Sequence, residues 1–302
     1  MTLHEIPRER RTLHGHFSAD LKPILSIESG DTVAFSCLDA GWHVRPGEKF
    51  EPMTDRDEGH PLIGPVEVRG ARAGQTLEVR IDRVQVGTWG WTSAAGWPTA
   101  LNDRLGVGEG ENVLVRWTLS NGTGRDEAGR EVELRPFLGV LGMPPPEPGT
   151  SWSTGPPRRW GGNIDCKELV EGAALYLPIP VDGAHFSGGD AHARQGDGEV
   201  CGTAIECPLE RAELTLTVRD DLQIETPIAR IAGAWLTFGF DEDLDEAAGA
   251  ALDAMLDLMG REHGLGRREA LALASVVVDV RITQLVNGTR GVHAVLPDNA
   301  LR

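Results

Sequence analysis

The chain has 302 residues, 40% of them hydrophobic and 25% charged, which is enough apolar sequence to bury a sizeable core and excludes a mainly disordered protein. Acidic residues outnumber basic residues by 46 to 29, and the net charge of −17 argues against binding to nucleic acid or to an anionic membrane surface. Four cysteines are too few for a disulfide scaffold, and no segment is apolar enough for a signal peptide or a membrane span, so we expect a cytoplasmic protein.

Short stretches of alternating apolar and polar residues begin early in the chain. They occupy residues 33–37, 77–86, 113–119 and 214–218. A period of two is typical of strands that turn one face to a core and the other to water. The 38 glycines and 19 prolines are spread along the whole chain, as expected for frequent turns between short strands. The pattern predicts a mainly β protein, either a sandwich or a jelly roll.

A proline-rich segment at 145–160 interrupts this pattern. Proline at this density cannot enter a sheet interior or a helix, so the segment is predicted to be an extended loop. The loop either crosses between two halves of the fold or forms a wall beside a pocket. We therefore expect a single domain over residues 1–302, with a subdivision allowed near 145–160.

The densest group of chemically active side chains occupies residues 183–199, between two apolar runs, 175–181 and 200–205, that are predicted to be buried strands. The candidate metal ligands or acid–base groups in this glycine-rich connection are His185, Asp190, His192, Asp197 and Glu199. Aspartate, glutamate and histidine together suit Zn²⁺, Ca²⁺ or Mn²⁺. The alternative is a solvated acidic loop in which aspartate and glycine only form turns.

The last third of the chain changes to a helical period. Apolar residues recur three or four positions apart over 243–261 and again over 268–280, which predicts two helices that serve as scaffold. The residues of the second helix that are predicted to face inward are Leu271, Ala274 and Val278. A final strand is predicted at 291–296.

Three motifs resemble the acetamidase/formamidase family. They are Gly-Gly-Asn-Ile-Asp-Cys-Lys at 161–167, Gly-Asp-Ala-His-Ala-Arg-Gln-Gly-Asp-Gly-Glu-Val at 189–200, and Ile-Gly-Pro-Val at 63–66. Further similar stretches extend over essentially the whole chain, and the two glycine-rich runs are specific to the family. Together with the two C-terminal helices, the resemblance implies a mainly β fold, with a jelly-roll-type β-sandwich and a smaller α+β portion.

The resemblance also implies a function, the metal-dependent hydrolysis of short linear amides such as formamide and acetamide, which releases ammonia and a carboxylate. Some members of the family act on γ-lactams, so γ-lactam hydrolysis is an alternative. His43, His185 and Ser187 depart from the family pattern, and we expect them to change the shape of the pocket. The expected partner is a small amide. A homo-oligomer is also expected, which exposed apolar strand edges would favour.

In this hypothesis a divalent metal, Zn²⁺ first and Ca²⁺ as the alternative, polarises the amide and activates a water molecule. The expected metal ligands are Asp39, Asp165, His192 and Glu206. Glu199 is expected to be the general base and acid, and Asp190 is a second catalytic residue that either binds the metal or orients His192. The expected substrate contacts are Asp197, Glu67, Gly189 and His43.

Other classes of protein fit parts of the same pattern. A non-catalytic jelly-roll binding module would use the cluster to hold a structural Ca²⁺, but Glu199 and Asp190 would then be spare carboxylates. A cupin-like oxygenase shares the glycine-rich strand and the His…Glu spacing, but its motif needs two histidines where this sequence has one. Among hydrolases, a Cys201 thiolate is a rival nucleophile, although the alternation around it predicts a small buried residue in a strand.

Overall fold

The computed structural model of the protein describes residues 1–51, 57 and 59–301. Its strands are, in chain order, β1 Leu3–Ile6, β2 Leu13–His14, β3 His16–Phe17, β4 Leu25–Ile27, β5 Asp31–Cys37, β6 His43–Arg45, β7 Glu48–Lys49, β8 Leu62–Val68, β9 Thr76–Val86, β10 Trp89–Ala94, β11 Val113–Ser120, β12 Thr123–Asp126, β13 Glu131–Glu133, β14 Phe137–Gly142, β15 Trp152–Ser153, β16 Pro157–Arg158, β17 Gly161–Asn163, β18 Ala174–Pro178, β19 Phe186–His192, β20 Glu206–Cys207, β21 Leu209–Arg219, β22 Ile228–Ile231, β23 Ala234–Asp241, β24 Asp279–Gln284 and β25 Arg290–Pro297. The described residues also form a 3₁₀ turn at Arg10–Thr12 and the helices α1 Ala100–Arg104, α2 Leu244–His263 and α3 Arg267–Val277.

Two large sheets contain most of these strands. The first has nine strands in the order β1-β5-β21-β9-β18-β22-β23-β25-β24. The second has twelve strands, of which nine follow the order β13-β12-β11-β10-β20-β19-β14-β17-β16; β8 pairs with β19, and β2 and β4 pair with β8. Two small sheets join β3 to β15 and β6 to β7. The predicted mainly β, sandwich-type fold is confirmed.

The main hydrophobic core contains side chains from both large sheets. Phe35 and Leu214 enter it from the first sheet, and Leu138 and Phe186 enter it from the second, each at most 4% exposed. Burying one such side chain stabilises the fold by about 1.5–3 kcal/mol. Because alternate residues of a strand point to opposite faces, the strands that build this core carry the period of two seen in the sequence.

The two C-terminal helices pack on the first sheet, where a second core contains residues of α2, α3 and β25. Helix α2 begins after Asp243, whose carboxylate accepts the backbone N–H of Asp245 at 2.8 Å, and ends at Gly264 with a φ of 67°. Both helices were predicted, but the prediction that Leu271 faces inward is wrong, because Leu271 is 54% exposed. The short side chains of Ala270 and Ala274 form the buried face of α3 instead.

The polar segment 183–199 is not one loop between two strands. Its first part is strand β19, which pairs with β14, β8 and β20 inside the second sheet. The prediction of a strand at 200–205 is wrong, because this stretch is a turn in which Val200 is 58% exposed and Gly202 has a φ of 85°. Cys201 therefore lies half-buried in a turn rather than in a core strand.

Strands from both sides of the proline-rich segment interleave in both large sheets. In the first sheet β9 lies between β21 and β18, and in the second β14 lies between β19 and β17. The single-domain prediction stays a prediction, although no large sheet is confined to one side of the segment 145–160. None of the helices in the described ranges has the length and apolar character of a membrane span.

Candidate metal centre and active site

Five ionisable side chains converge at a cavity of about 210 Å³, and four of the five line it. Asp190 and His192 are on β19, Asp165 follows β17, Glu206 is on β20, and Glu199 is in the segment between β19 and β20. All five are at most 6% exposed. We call these residues the carboxylate cluster. The structure therefore brings together five of the six candidates that the two glycine-rich runs and Glu206 supply, and the exception is Asp197.

His192 is at the centre of the carboxylate cluster. Its Nε2 atom lies 3.4 Å from Asp190 Oδ2 and 3.2 Å from Glu206 Oε2. The ligand atoms of Asp165, His192 and Glu199 also lie within 4.8 Å of one another, as do those of Asp190, His192 and Glu206. Two overlapping sets of oxygen and nitrogen donors thus share one imidazole.

Gln195 determines which nitrogen of His192 faces the carboxylates. The amide Nε2 of Gln195 donates to the backbone oxygen of Asp165 at 2.7 Å, so its Oε1 is the atom that lies 2.9 Å from His192 Nδ1. Because an amide oxygen only accepts, His192 Nδ1 carries a proton and donates it to Gln195. The Nε2 atom is therefore the nitrogen that faces Asp190 and Glu206. Burial acts to lower the pKa of His192, but the charges of Glu206 and Asp190 outweigh it and raise that pKa, so a metal ion bound at Nε2 would take the place of a proton.

The carboxylate cluster has too little positive charge to balance its four acids. Five of its buried oxygens have no hydrogen-bond partner among the described residues: Asp165 Oδ1, Asp190 Oδ1 and Oδ2, Glu199 Oε2 and Glu206 Oε2. Buried charges of this kind are found paired, protonated or bound to a metal. A donor set of one imidazole and several carboxylates fits a divalent cation such as Zn²⁺ or Ca²⁺.

The ionisation of these carboxyl groups follows from burial and mutual repulsion. Burial and the nearby Glu199 carboxylate raise the pKa of Asp165 well above its ordinary value, and burial raises the pKa of Glu199 to about 8. Burial also acts to raise the pKa of Asp190, but the charges of His60 and His192 outweigh it and lower that pKa to about 2. The protein alone thus leaves part of the cluster protonated, and a bound cation would favour the ionised forms.

Gly139 on β14 makes room for two of the carboxylates. A Cβ atom at this position would lie 2.6 Å from both Asp165 Oδ1 and Asp190 Oδ2. Any side chain would therefore push the two carboxylates apart. The close approach of the two acids depends on glycine at this position.

Three residues of the carboxylate cluster have a left-handed backbone conformation. The φ angles are 51° at Asp165, 59° at Asp190 and 43° at Glu199. A non-glycine residue in this region costs of the order of 1–3 kcal/mol and persists only where the surrounding structure holds it. Such strain concentrates at functional sites, where it aims side chains in directions that regular strands do not allow.

Asp39 is hydrogen-bonded to residues outside the carboxylate cluster. Its Oδ1 accepts the backbone N–H of His43 at 2.6 Å, and its Oδ2 accepts the indole N–H of Trp91 at 2.6 Å and lies 2.9 Å from His43 Nδ1. The Asp39 oxygens are thus already engaged, and its role as a metal ligand stays a prediction. Trp91 lines the cavity of the cluster but His43 does not, and the predicted contact of His43 with substrate stays a prediction.

Asp197 belongs to a set of ion pairs beside the cavity. Its carboxylate lies 2.5 Å from Arg281 Nη2 and 2.9 Å from Lys167 Nζ. Glu168 pairs with the same Arg281 at 2.9 Å and also with Arg135. We call these five residues the ion-pair network. The network ties the segment that carries Glu199 to β24 and to the loop after Asp165, so Asp197 fixes the backbone; its predicted contact with substrate is untested.

The other two predicted substrate contacts lie outside the residues that line the cavity. Glu67 accepts a hydrogen bond from Ser26, and it lies beside Gly183 and His185. A Cβ atom on Gly189 would lie 2.4 Å from the backbone oxygen of Pro61, so glycine allows β19 and the chain before β8 to pack closely. A substrate role for either residue stays a prediction.

Sequence reasoning missed several polar residues of the site. Asn163 lines the cavity, and its buried side-chain oxygen has no partner among the described residues. Gln284 donates to the backbone oxygen of Asn163 at 2.6 Å and accepts from Asn287, which also lies 3.5 Å from Asp165 Oδ2. Asn163 and Gln195 are in the two glycine-rich runs, so a search of those runs for amides would have found them.

The proline-rich segment contributes indirectly to the cavity wall. Buried Thr154 accepts the backbone N–H of His60 at 2.7 Å, and its hydroxyl also lies 3.0 Å from the Nδ1 atom of that ring. His60 lines the cavity beside Asp190. Of the two interpretations of this segment, the wall beside a pocket is therefore the one that these contacts favour.

The chain is similar to proteins named acetamidase and formamidase and, in its fold, to a γ-lactamase. An acetamidase from Bacillus halodurans of known crystal structure is 29% identical, with a TM-score of 0.86 over 97% of this chain and 97% of that chain. A Schizosaccharomyces pombe protein named as a formamidase is 27% identical over 256 residues, which is 66% of this chain and 62% of that protein. A γ-lactamase from Delftia acidovorans shares the fold, with a TM-score of 0.63 at 19% identity over 97% of this chain and 90% of that one.

A family model matches nearly the whole chain, although the curated relatives are matched over only part of their length. The chain spans less than two thirds of the length of the curated relatives it matches, 62% in the case of the yeast protein and 61% in that of a formamidase from Methylophilus methylotrophus. The model of the Acetamidase/Formamidase family nevertheless matches residues 2–148 and 149–299. These matches and the shared fold show that the chain belongs to the Acetamidase/Formamidase family.

Proposed function

We propose that the protein hydrolyses the C–N bond of a small linear amide with the help of a divalent metal bound in the carboxylate cluster. The observation that carries the proposal is the set of five buried carboxylate oxygens that accept no hydrogen bond from the described residues, two of which lie 3.2 and 3.4 Å from His192 Nε2. Family membership supports amide hydrolysis, since relatives are named acetamidase and formamidase. A cytoplasmic location and a homo-oligomeric state remain predictions.

Asp190, His192 and Glu206 are the residues best placed to hold the metal. His192 directs Nε2, the nitrogen not bonded to Gln195, toward oxygens of the other two. Glu206 keeps its Oε1 on the backbone N–H of Ala204 at 2.8 Å and leaves Oε2 for the metal. Once bound, a divalent ion would polarise the amide carbonyl and acidify water at the site.

Glu199 carries out the proton transfers, and two further residues orient the reacting groups. Glu199 has a buried, unpartnered Oε2 at the cavity and takes a proton from the attacking water. The water oxygen forms a bond to the carbonyl carbon, the C–N bond breaks, and Glu199 returns the proton to the nitrogen, which leaves as ammonia. The side-chain oxygen of Asn163 lines the cavity and is placed to accept an amide N–H, and Asp165 lies close enough to Glu199 to orient its carboxyl group.

The experiment measures ammonia release from formamide and acetamide, and ring opening of the γ-lactam 2-pyrrolidinone to 4-aminobutanoate, by one preparation of the protein. The preparation is assayed as purified, after prolonged chelation, and after addition of Zn²⁺ or Ca²⁺. We expect chelation to abolish turnover and one of the two ions to restore it, while circular dichroism shows that the chelated protein stays folded. Full activity in protein shown to be metal-free would contradict the metal-dependent mechanism, and binding of Ca²⁺ without turnover of any amide would favour the binding module.

A further inference from the structure

A second cavity of about 400 Å³ adjoins the cavity of the carboxylate cluster. Gly202 and Asn287 line both cavities. Its walls are the turn that follows Glu199, the turn between β24 and β25, and the segment that contains α1. The second cavity is thus bounded by the segments that position Glu199 and contact Asp165.

The size of the two cavities exceeds what the smallest amides need. Formamide and acetamide have three and four non-hydrogen atoms, and a single water occupies about 30 Å³. The cavity of about 210 Å³ at the carboxylate cluster can therefore hold such a molecule by itself. The larger neighbouring cavity is available for the rest of a longer acyl group, and the apolar side chains on its walls are Trp97, Leu101, Val200, Leu285 and Val286.

Arg290 supplies the one charge among the described residues that line this cavity, whose other side chains are both apolar and polar. Its Nη1 atom donates to the backbone oxygen of Gly288 at 3.4 Å, and it makes no ion pair with any carboxylate in the described part of the chain. Its cross-strand neighbour is Asp241, which is exposed to solvent and outside ion-pair distance. A half-buried guanidinium beside apolar side chains is a strong partner for a carboxylate, because it can donate two parallel hydrogen bonds.

We propose that the substrate is the monoamide of a short dicarboxylic acid, with its amide at the carboxylate cluster and its carboxylate on Arg290. This inference rests on the proposed function. The hydrolysis is the same: water adds its oxygen to the amide carbon, the C–N bond breaks, and the products are the dicarboxylate and ammonia. Arg290 takes no part in the bond changes and determines which amide is accepted.

The experiment compares succinamate with 4-oxopentanamide, a neutral amide of nearly the same shape in which a methyl ketone replaces the carboxylate. The metal-loaded protein should prefer succinamate, and malonamate and glutaramate extend the series to shorter and longer chains. In Arg290→Gln the ratio of kcat/KM for succinamate to that for 4-oxopentanamide should fall roughly ten- to a hundredfold, as expected for loss of a charge-assisted hydrogen bond. Arg104→Gln, which removes an exposed arginine at the end of α1 outside the cavity, should leave this ratio unchanged.

A charge reversal gives a second readout if Arg290→Gln folds poorly. Arg290→Glu should shift the preference toward 4-aminobutanamide, in which a cationic aminomethyl group replaces the carboxylate. Equal use of succinamate and 4-oxopentanamide by the unmodified protein, with a ratio that Arg290→Gln does not change, would overturn the inference while leaving the proposed function intact. Absence of turnover with every amide, in protein that binds metal, would instead refute the proposed function.

Discussion

The carboxylate cluster and the ion-pair network lie side by side and contain acids of the same kind, but their surroundings differ. Burial acts to raise the pKa of Asp197 in the network and of Asp165 in the cluster. At Asp197 the hydrogen bonds from Lys167 and Arg281 outweigh burial, and the pKa is lowered. At Asp165 the repulsion from Glu199 adds to burial, and the pKa is raised well above its ordinary value. Acids that the protein itself neutralises hold the backbone, whereas acids left without a cation indicate a place for a ligand.

The largest effect is expected from removal of the imidazole that the two donor sets share. His192→Ala should lose bound metal and amide hydrolysis together, by more than about 10³-fold in activity, because the site loses its only nitrogen ligand among the described residues. Metal content per chain and kcat are measured on the same preparation. His263→Ala, an exposed histidine at the end of α2, is the control. A His192→Ala protein with full metal content would show that the ion is held elsewhere.

The second largest effect is expected at Glu199, where one substitution distinguishes a role in proton transfer from a role in metal binding. Glu199→Gln should keep the metal and the fold but lower kcat by about 10²–10⁴-fold, with little change in KM, since an amide cannot accept the proton of the water. Metal stoichiometry and kcat are again measured together. If Glu199→Gln is purified without metal, Glu199 is a ligand and the base lies elsewhere, with Asp190 as the next candidate.

A buried histidine that hydrogen-bonds a hydroxyl group and a backbone oxygen extends the comparison to protein stability. His14 hydrogen-bonds Ser187 Oγ at 2.9 Å, and burial lowers its pKa from 6.5 to about 4. Above pH 6.5 both the folded and unfolded forms are neutral, and between pH 6.5 and 4 only the unfolded chain takes up the proton. Its contribution to the free energy of unfolding should therefore fall by about 2–3 kcal/mol between pH 7 and 4.5.

The test for His14 compares two proteins, because other groups titrate in the same range. Urea unfolding at pH 7 and pH 4.5 gives the loss of stability for the unmodified protein and for His14→Gln, which keeps a polar side chain at this position. The loss should be smaller in His14→Gln by about 2–3 kcal/mol. Equal losses in the two proteins would mean that His14 is not the group responsible.

A smaller effect is expected at the half-buried thiol near Glu199. The Cys201 Sγ donates to the backbone oxygen of Thr203 at 3.3 Å, and Glu199 directs its buried oxygen to the cavity instead. Cys201→Ala should keep at least about a tenth of the activity, as expected for a residue that is not the nucleophile. A loss beyond about 10³-fold in folded, metal-loaded Cys201→Ala would identify the thiol as the nucleophile.

The smallest effect is expected in the ion-pair network. Asp197→Asn removes the charged partner of Arg281 and Lys167. It leaves in place the two backbone hydrogen bonds of Gly198, which donates to Thr283 of β24 at 3.0 Å and accepts from Leu285 just after β24 at 2.9 Å. Partly exposed ion pairs of this kind each contribute about 0–1 kcal/mol. The free energy of unfolding should therefore fall by about 1 kcal/mol, and kcat should change by less than tenfold. A loss as large as that of Glu199→Gln would mean that Asp197 acts on the substrate, as the sequence pattern also allowed.

The strands and the clustering of acids could be predicted from the sequence because both are local patterns. Period-two alternation identified β5, β9, β11 and β21, and the two glycine-rich runs hold most of the carboxylate cluster. The turn at 200–205 was missed because alternation alone does not distinguish a strand from a turn whose glycine has a positive φ. Hydrogen bonds between residues distant in the chain could not be predicted from local patterns either. Asp39, for example, accepts a hydrogen bond from Trp91, which is 52 residues away.

The left-handed backbone at Asp165, Asp190 and Glu199 sets stability against activity in this protein. Glycine would relieve the backbone strain at each of these positions and would remove a buried acid at the same time. A chain selected for stability alone would therefore carry glycine there and would lose the groups that we assign to catalysis. Attempts to make the protein more heat-resistant should leave these three positions unchanged. The substitutions that relieve the most backbone strain there are those that remove the ionisable groups of the site.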